Sequence, residues 1–438
     1  MSATMLKTIA PRLKRAMAGA IGSIAMAASA SAETILIDNG QVHTMVGDGE
    51  QVIQGDVLVR NGRIVRVAEE IAAPNGATVI DATDKIVTPG LFAPWSQLGL
   101  VEISLDREAN DSRPGEGFAL SAALDAGDGF NPSSTLIPIN RAGGVTRAVS
   151  APTQGGKIFG GQAIVVDLSG DADSVTQTGV AQSVTLGFQG AVRSGDTRLG
   201  VWAHLREYMA EAKRYAEGPR AYALAPRDPR FSLSDLKALG PVVRGDQLLM
   251  VAINEASDIR SLIKFKNEYG LDVAISGGAE AWKVADELAA AGVAVVLDPM
   301  ENLPSQHERL GATLENAAIL HKAGVRIAFS APGTHNLRLL PQSAGNAVAN
   351  GLPHAAALVA LTRAPAEMFG LSNALGTLES GKVADVVVWN GDPLEVSSRP
   401  VTVLINGEIA SLENRQTIMR DRYLDLSRGR LPLAYPRP

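Results

Sequence analysis

Polar side chains that could transfer protons follow three short apolar runs of the sequence. Asn254 and Glu255 come after LLMVAI, Asp298 comes after AVVL, and His335 comes after RIAF. A carboxylate and an imidazole on neighbouring loops can exchange protons with a bound substrate. We therefore predict Glu255, Asp298 and His335 as catalytic residues.

Further polar residues in or beside these segments are candidates for substrate binding. They are Gln97, Asn254, His307 and Arg338. The charged candidates also have structural interpretations, because charged loop residues are mostly solvated or paired. Asp298 would cap a loop before Pro299, and Glu255 would pair with a nearby arginine or lysine.

These residues need a scaffold that gathers the ends of several strands. Apolar runs at 248–253, 272–275, 294–297 and 326–329 alternate with helical patterns that each end in glycine. This alternation predicts a parallel sheet covered by helices. With further strands at 144–150 and 162–168, it predicts an α/β fold with a (β/α)8 barrel over residues 89–372. Residues 168–245 are the least regular and leave room for an insertion.

The two terminal segments lack the alternation of strands and helices that the middle of the chain has. Residues 33–88 and 373–425 contain short runs with period-two alternation and Asn-Gly pairs, of which Asn61-Gly62 indicates a two-residue hairpin turn. Two β segments around a different middle predict one small composite β-sandwich from both termini. Residues 426–438 form a tail.

The first 32 residues have the composition of a secretory signal. A basic start is followed by a small-residue apolar stretch and by Ala30-Ser31-Ala32, which predicts cleavage after Ala32 and a periplasmic or secreted protein. The stretch is too short for a permanent membrane span. Cleavage takes the net charge from −6 to −10, because four basic and no acidic residues precede Glu33. An acidic chain argues against nucleic acid or anionic membranes as partners.

The supply of metal-binding and nucleophilic side chains is small. The chain has no cysteine and six histidines. Thiolate nucleophiles and zinc sites that contain cysteine are thereby excluded. The glycine-rich segment APTQGGKIFGGQ at 151–162 lacks the P-loop pattern, so we expect it to form a tight connection or to line the pocket mouth.

Several segments together resemble the amidohydrolase superfamily, specifically its imidazolonepropionase-like branch. They are IDATDKIVTPGL, ASDIRSLIKF, GGAEAWKVADELAAAGVAVVLDP, ENAAILHKAGVRIAFS, HNLRLLPQSAGNAVANGLP and GTLESGKVADVVVWNGDPLE. The resemblance covers nearly all of 33–415. It implies a barrel of the metal-dependent hydrolase type with a composite β-sandwich, and a hydrolase that acts on carbon–nitrogen bonds other than peptide bonds.

The resemblance also implies a site for one or two divalent ions of zinc, manganese or iron, held by four histidines and an aspartate. The positions in this chain that match those ligands are Trp95, Gln97, Ala252, Gly277 and Ser330. Tryptophan and glycine side chains cannot bind a cation, and only the glutamine amide and the serine hydroxyl carry an oxygen. We therefore predict no metal and no other cofactor.

Two functions follow from these observations. The first is a periplasmic hydrolase of a small molecule, and the alternative is a catalytically inactive homologue that serves as a binding or scaffold protein. A small-molecule ligand or substrate is the expected partner, and a homo-oligomer is compatible with the sequence.

Overall fold

The computed structural model describes residues 34–226, 228 and 230–424. The predicted signal segment, its cleavage site and the tail 426–438 lie outside the described residues. Among the described helices, none combines the length and the apolar composition that a membrane span requires.

Two β-sheets contain the described strands. In chain order these are β1 (Thr34–His43), β2 (Val52–Arg60), β3 (Arg63–Ala68), β4 (Thr78–Asp81), β5 (Ile86–Pro89), β6 (Leu91–Ser96), β7 (Val145–Ser150), β8 (Phe159–Asp167), β9 (Val175–Thr185), β10 (Leu248–Ile253), β11 (Val273–Gly277), β12 (Ala294–Leu297), β13 (Ile327–Phe329), β14 (Val386–Trp389), β15 (Pro400–Ile405) and β16 (Glu408–Ile409).

The helices lie mainly between the barrel strands and after them. They are α1 (Ala126–Gly129), α2 (Leu136–Arg141), α3 (Gly187–Ala191), α4 (Arg198–Glu217), α5 (Pro219–Leu224), α6 (Leu233–Ala238), α7 (Gly240–Val243), α8 (Ala256–Tyr269), α9 (Ala285–Ala291), α10 (Asn316–Lys322), α11 (Leu340–Ala349), α12 (His354–Leu361), α13 (Arg363–Met368) and α14 (Arg415–Leu424).

The first sheet joins both ends of the chain, as predicted. Its order is β16-β15-β14-β5-β1-β2-β3, with β4 paired to β1. The junction is the antiparallel ladder between β5 and β14, in which Pro89 faces Val386. Asn61 and Gly62 both have positive φ angles, 51° and 75°, which the tight turn between β2 and β3 requires. Apolar side chains of N-terminal and C-terminal strands share one core.

The second sheet is the barrel, with the order β13-β12-β11-β10-β9-β8-β7-β6. Its ends, β13 and β6, lie in contact, so the barrel is nearly closed. One strand departs from the predicted parallel pattern: β8 runs antiparallel to both β7 and β9. A seven-residue connection, residues 168–174, turns the chain straight back from β8 into β9, so no helix separates them. The irregular stretch 168–245 thus contains a barrel strand and the long helix α4.

Alternation along the strands decides what faces the barrel interior. Leu248, Met250, Val296 and Ala328 belong to the interior core, whereas the intervening residues pack against the surrounding helices. At the amino-terminal end of the barrel strands, which we call the bottom, residues around α13 complete the same interior core. The next inward positions toward the carboxyl ends, Ala252, Ser276 and Ser330, are half-buried and line a cavity at the barrel mouth.

Candidate active site

A cavity of about 610 Å³ lies at the carboxyl ends of the barrel strands. The inward rows of β10, β11, β12 and β13 end there with Ala252, Ser276, Asp298 and Ser330. Sites on barrels are built at this face, because loops from several strands converge on it. We call it the mouth cavity.

All five positions predicted to match the family's metal ligands line the mouth cavity. They are Trp95, Gln97, Ala252, Gly277 and Ser330. The strand registers therefore place these positions around one cavity. The residues that occupy the positions differ from the metal ligands of the family.

The donor chemistry of this space does not fit a divalent metal. Gly277 has a φ of 104°, which strains any residue with a side chain, and a Cβ there would lie 2.6 Å from Oδ1 of Asn254, so an imidazole-bearing residue would also have to displace the Asn254 side chain. Among the described residues no group of three or more histidine, aspartate or glutamate side chains could hold a metal ion. The residues present thus do not form the implied site.

Asp298 is the predicted catalytic residue that reaches the mouth cavity. Its Oδ1 accepts a hydrogen bond of 2.9 Å from the backbone N–H of Met300. Burial raises the pKa of Asp298 above its usual range, against the opposing effects of the Met300 amide and the Arg309 guanidinium. Within the described part of the chain, Oδ2 accepts no hydrogen bond. The side chain therefore caps its own loop, as the structural interpretation has it, and still offers an oxygen to the cavity.

Two further carboxylates from the same loop line the cavity, and sequence reasoning did not select them. Burial raises the pKa of Glu301, although Arg309 pairs with it. Glu308 is buried, and it accepts hydrogen bonds from the N–H of Phe188 at 2.8 Å and from Nδ2 of Asn254 at 3.0 Å. Because the loop has no periodic pattern, only its folded path shows which of its acids turn inward.

Two of the residues predicted to bind substrate, Gln97 and Asn254, also line the mouth cavity. The Nδ2 of Asn254 is engaged by Glu308. Its Oδ1 accepts from the N–H of Ala279 at 3.4 Å. Asn254 therefore shapes the cavity wall. The side-chain amide of Gln97 makes no hydrogen bond within the described residues.

Glu255 and His307 lie elsewhere, in a neighbouring cavity of about 570 Å³ that we call the side cavity. Glu255 pairs with Arg198 at 2.7 Å and accepts from the hydroxyl of Ser257 at 2.7 Å. Burial alone raises the pKa of Glu255, but the bonds from Ser257 and Arg198 outweigh it and hold the pKa below the usual range. Its partners therefore keep the Glu255 carboxylate charged. This agrees with the structural interpretation of Glu255 as one member of an ion pair with a nearby arginine.

His335 and Arg338 line neither cavity. His335 is exposed, and its carbonyl accepts from the guanidinium of Arg338. Arg338 instead borders a cleft beside Trp389. The strand β13 has only three residues, and the chain turns outward at Gly333, which has a φ of 81°. The predicted pairing of His335 with Glu255 or Asp298 is therefore not assembled.

Comparisons with known proteins agree with this architecture. The model of the amidohydrolase family matches residues 180–413. The protein "Amidohydrolase tasK" of Hapsidospora irregularis is 24% identical over 391 residues, which are 81% of this chain and 39% of that protein. The chain thus spans about two fifths of the length of that relative.

Solved structures give the same result. An amidohydrolase from Thermotoga maritima MSB8 is 27% identical, with a TM-score of 0.76, over 86% of this chain and 99% of that one. A structure described as molinate hydrolase is 16% identical with a TM-score of 0.53, over 93% of this chain and 98% of that one, a likeness that concerns the fold alone. None of these comparisons separates the imidazolonepropionase-like branch from other branches.

Proposed function

Because the chain belongs to the amidohydrolase family, we propose that it hydrolyses a carbon–nitrogen bond, other than a peptide bond, of a small molecule bound in the mouth cavity. The observation that carries the proposal is Asp298. It is a carboxyl group with a raised pKa and an unengaged oxygen, and it lines the mouth cavity at the carboxyl ends of the barrel strands. Perturbed carboxyl groups in such clefts are candidates for proton transfer.

The proposed reaction uses Asp298 as general base and then as general acid. The carboxylate takes a proton from a water molecule, and the water oxygen forms a bond to the carbonyl carbon of the substrate. As the carbon–nitrogen bond breaks, the leaving nitrogen takes the proton from Asp298, which returns to the carboxylate. The raised pKa serves both steps, because it makes the carboxylate a better base near neutral pH.

Other side chains of the cavity would stabilise the intermediate and exclude water. The amide of Gln97 and the hydroxyl of Ser330 can donate hydrogen bonds to the negative charge on the carbonyl oxygen. Trp95 supplies an apolar wall at the position that matches a metal ligand in the family. The proposed reaction uses no metal, because the side chains at the matched ligand positions do not fit one.

The decisive experiment is a screen of amides, lactams and carbamates with the purified protein and with Asp298→Asn. We expect the substitution to lower the rate of any hydrolysis by about 10²-fold or more, and we expect a chelator to leave the wild-type rate unchanged. Glu395→Gln, an exposed carboxylate that lines neither cavity, is the control. An unchanged rate in Asp298→Asn would remove this residue from the mechanism, and a rate lost with the chelator would restore a metal to it.

A second candidate function is a binding or scaffold protein without catalysis. The observation that favours it is the replacement of all five matched ligand positions around a cavity that is still open. Ligands that bind wild type and Asp298→Asn with equal affinity, and that neither protein turns over, would support this candidate over the hydrolase.

A periplasmic location is also part of the proposal, and the signal-like composition of residues 1–32 supports it. Osmotic-shock fractionation with N-terminal sequencing tests it, with Glu33 as the expected first residue. An intact N-terminus in the cytoplasmic fraction would contradict it.

A further inference from the structure

The mouth cavity and the side cavity share a wall that contains Glu308, which lines both of them. One oxygen of Glu308, Oε1, accepts a hydrogen bond of 3.0 Å from Nδ2 of Asn254, a residue of the mouth cavity. The other oxygen, Oε2, accepts a bond of 2.8 Å from the N–H of Phe188, a residue of the side cavity. The shared wall is therefore one side chain thick at this point.

The exposed part of the shared wall is Gln306. It also lines both cavities, and unlike Glu308 it is exposed to solvent. Its side-chain amide makes no hydrogen bond in the described part of the chain. An exposed side chain without partners changes rotamer within nanoseconds. A ligand can therefore pass from one cavity to the other over Glu308 once Gln306 turns aside.

The side cavity has an apolar surface on α3. Phe188 lines it and is 56% exposed, and Ala191 lines it one helical turn later. The ring of Phe188 meets no other aromatic ring among the described residues. A large apolar side chain that is exposed inside a concave surface is typical of a site that binds a ligand.

The side cavity also contains a carboxylate without a partner. Asp196 lines the cavity, and within the described residues its side chain forms no ion pair and no hydrogen bond. The arginine of the cavity, Arg198, is already engaged by Glu255 at 2.7 Å and by Asp258 at 3.5 Å. The charge of Asp196 is thus left for a positively charged group of a ligand to compensate.

We propose that the side cavity binds the second part of the substrate whose amide lies in the mouth cavity, and that this part is an apolar stem with a positively charged end. The inference rests on the proposed function in placing the amide beside Asp298. Phe188 packs on the stem, Asp196 pairs with the charged end, and the stem crosses the shared wall at Gln306. The substrate class is thus a small amide with a lysine-like or arginine-like side chain.

The first test measures the affinity of three amides by isothermal titration calorimetry near about pH 8, where an ordinary imidazole is neutral. Nα-acetyl-lysinamide has the stem and the charge, Nα-acetyl-norleucinamide has a similar stem without the charge, and N-acetylglycinamide has neither. The stem and the charge should each tighten binding to the wild type by about tenfold. Phe188→Ala should remove the advantage of norleucine over glycine, and Asp196→Asn should remove that of lysine over norleucine.

The control for Asp196→Asn is Asp84→Asn. Both aspartates are exposed and have positive φ angles, 55° at Asp196 and 57° at Asp84, which asparagine also adopts. Asp84 lies between β4 and β5 and lines neither cavity, so its variant should bind the three amides like the wild type. Equal affinities of the wild type for the lysine and norleucine compounds, or a full preference for lysine in Asp196→Asn, would overturn the proposal.

The second test determines whether the stem crosses the shared wall. Gln306→Trp fills the passage from an exposed position and should weaken the lysine and norleucine compounds by about tenfold, with the glycine compound unchanged. Gln306→Ala should bind all three like the wild type. Unchanged binding of the lysine compound to Gln306→Trp would place its stem elsewhere and overturn the proposal. Both tests measure binding, so an absence of hydrolysis would count against the proposed function alone.

Discussion

The charged residues at the two ends of the barrel differ in how completely they are paired. At the bottom, Arg147 pairs with Asp385 at 2.6 Å and with Asp167 at 3.5 Å, and Asn406 bonds to both aspartates. At the mouth, Asp298 and Glu301 both have raised pKa values, and Arg309 has an Nε without a hydrogen bond among the described residues.

The difference follows from what each end has to do. Burial alone lowers the pKa of Arg147, but the aspartates outweigh it and the pKa is raised, so the network at the bottom keeps its charges and joins the barrel to the composite sheet. At the mouth the carboxyl groups are only half-buried and incompletely compensated, which leaves them able to change protonation. Complete pairing is typical of a structural role, and incomplete pairing is what the proposed proton transfer by Asp298 requires.

The largest effect should come from breaking the bottom network. Arg147→Met leaves Asp167 and Asp385 buried without their cation, which costs about 3–5 kcal/mol of the free energy of unfolding. Urea denaturation near neutral pH measures it. The control is Arg260→Met, which breaks an exposed pair with Glu287 and should change stability by about 1 kcal/mol or less. Equal losses of stability in the two variants would mean that the Arg147 network does not join the barrel to the composite sheet.

A smaller effect is expected at the one carboxylate of the mouth that is fully engaged. Glu308→Gln places an N–H donor where an oxygen accepts from either Phe188 or Asn254, so one donor loses its partner. The expected loss is about 1–3 kcal/mol in the same urea experiment. A stability equal to that of the wild type would show that Glu308 belongs with the unpaired acids of the mouth.

The smallest effect, of opposite sign, is expected for Asp298→Asn. Because the pKa of Asp298 is raised in the folded protein, its contribution to stability is fully present below the unfolded pKa and is lost as the pH rises through the folded pKa. Asparagine does not ionise and can still accept from Met300. The Tm of the variant should therefore match the wild type near about pH 4 and equal or exceed it near about pH 8. A lower Tm at the higher pH would mean that the charged form is stabilised, as at the bottom.

The residues at strand ends were predicted well from the sequence, and the loop residues were not. The resemblance to the family assigned Trp95, Gln97 and Ser330 to strand ends, and all three line the mouth cavity. His335 lies beyond β13 in a short 3-10 helix, Thr334–Leu339, and the period of the strand does not extend to it. For the same reason Glu308 was missed.

The sequence by itself determined the α/β fold with a composite β domain and, through its resemblance to the family, the residue types at the five positions around the mouth cavity. These depend on strand period, turn residues and order along the chain, which are local. Only the tertiary structure decided that β8 runs antiparallel to its neighbours and that Asp298 shares its cavity with Glu301 and Glu308. Each of these is set by how loops of irregular conformation pack across long sequence separations, and no local pattern encodes that packing.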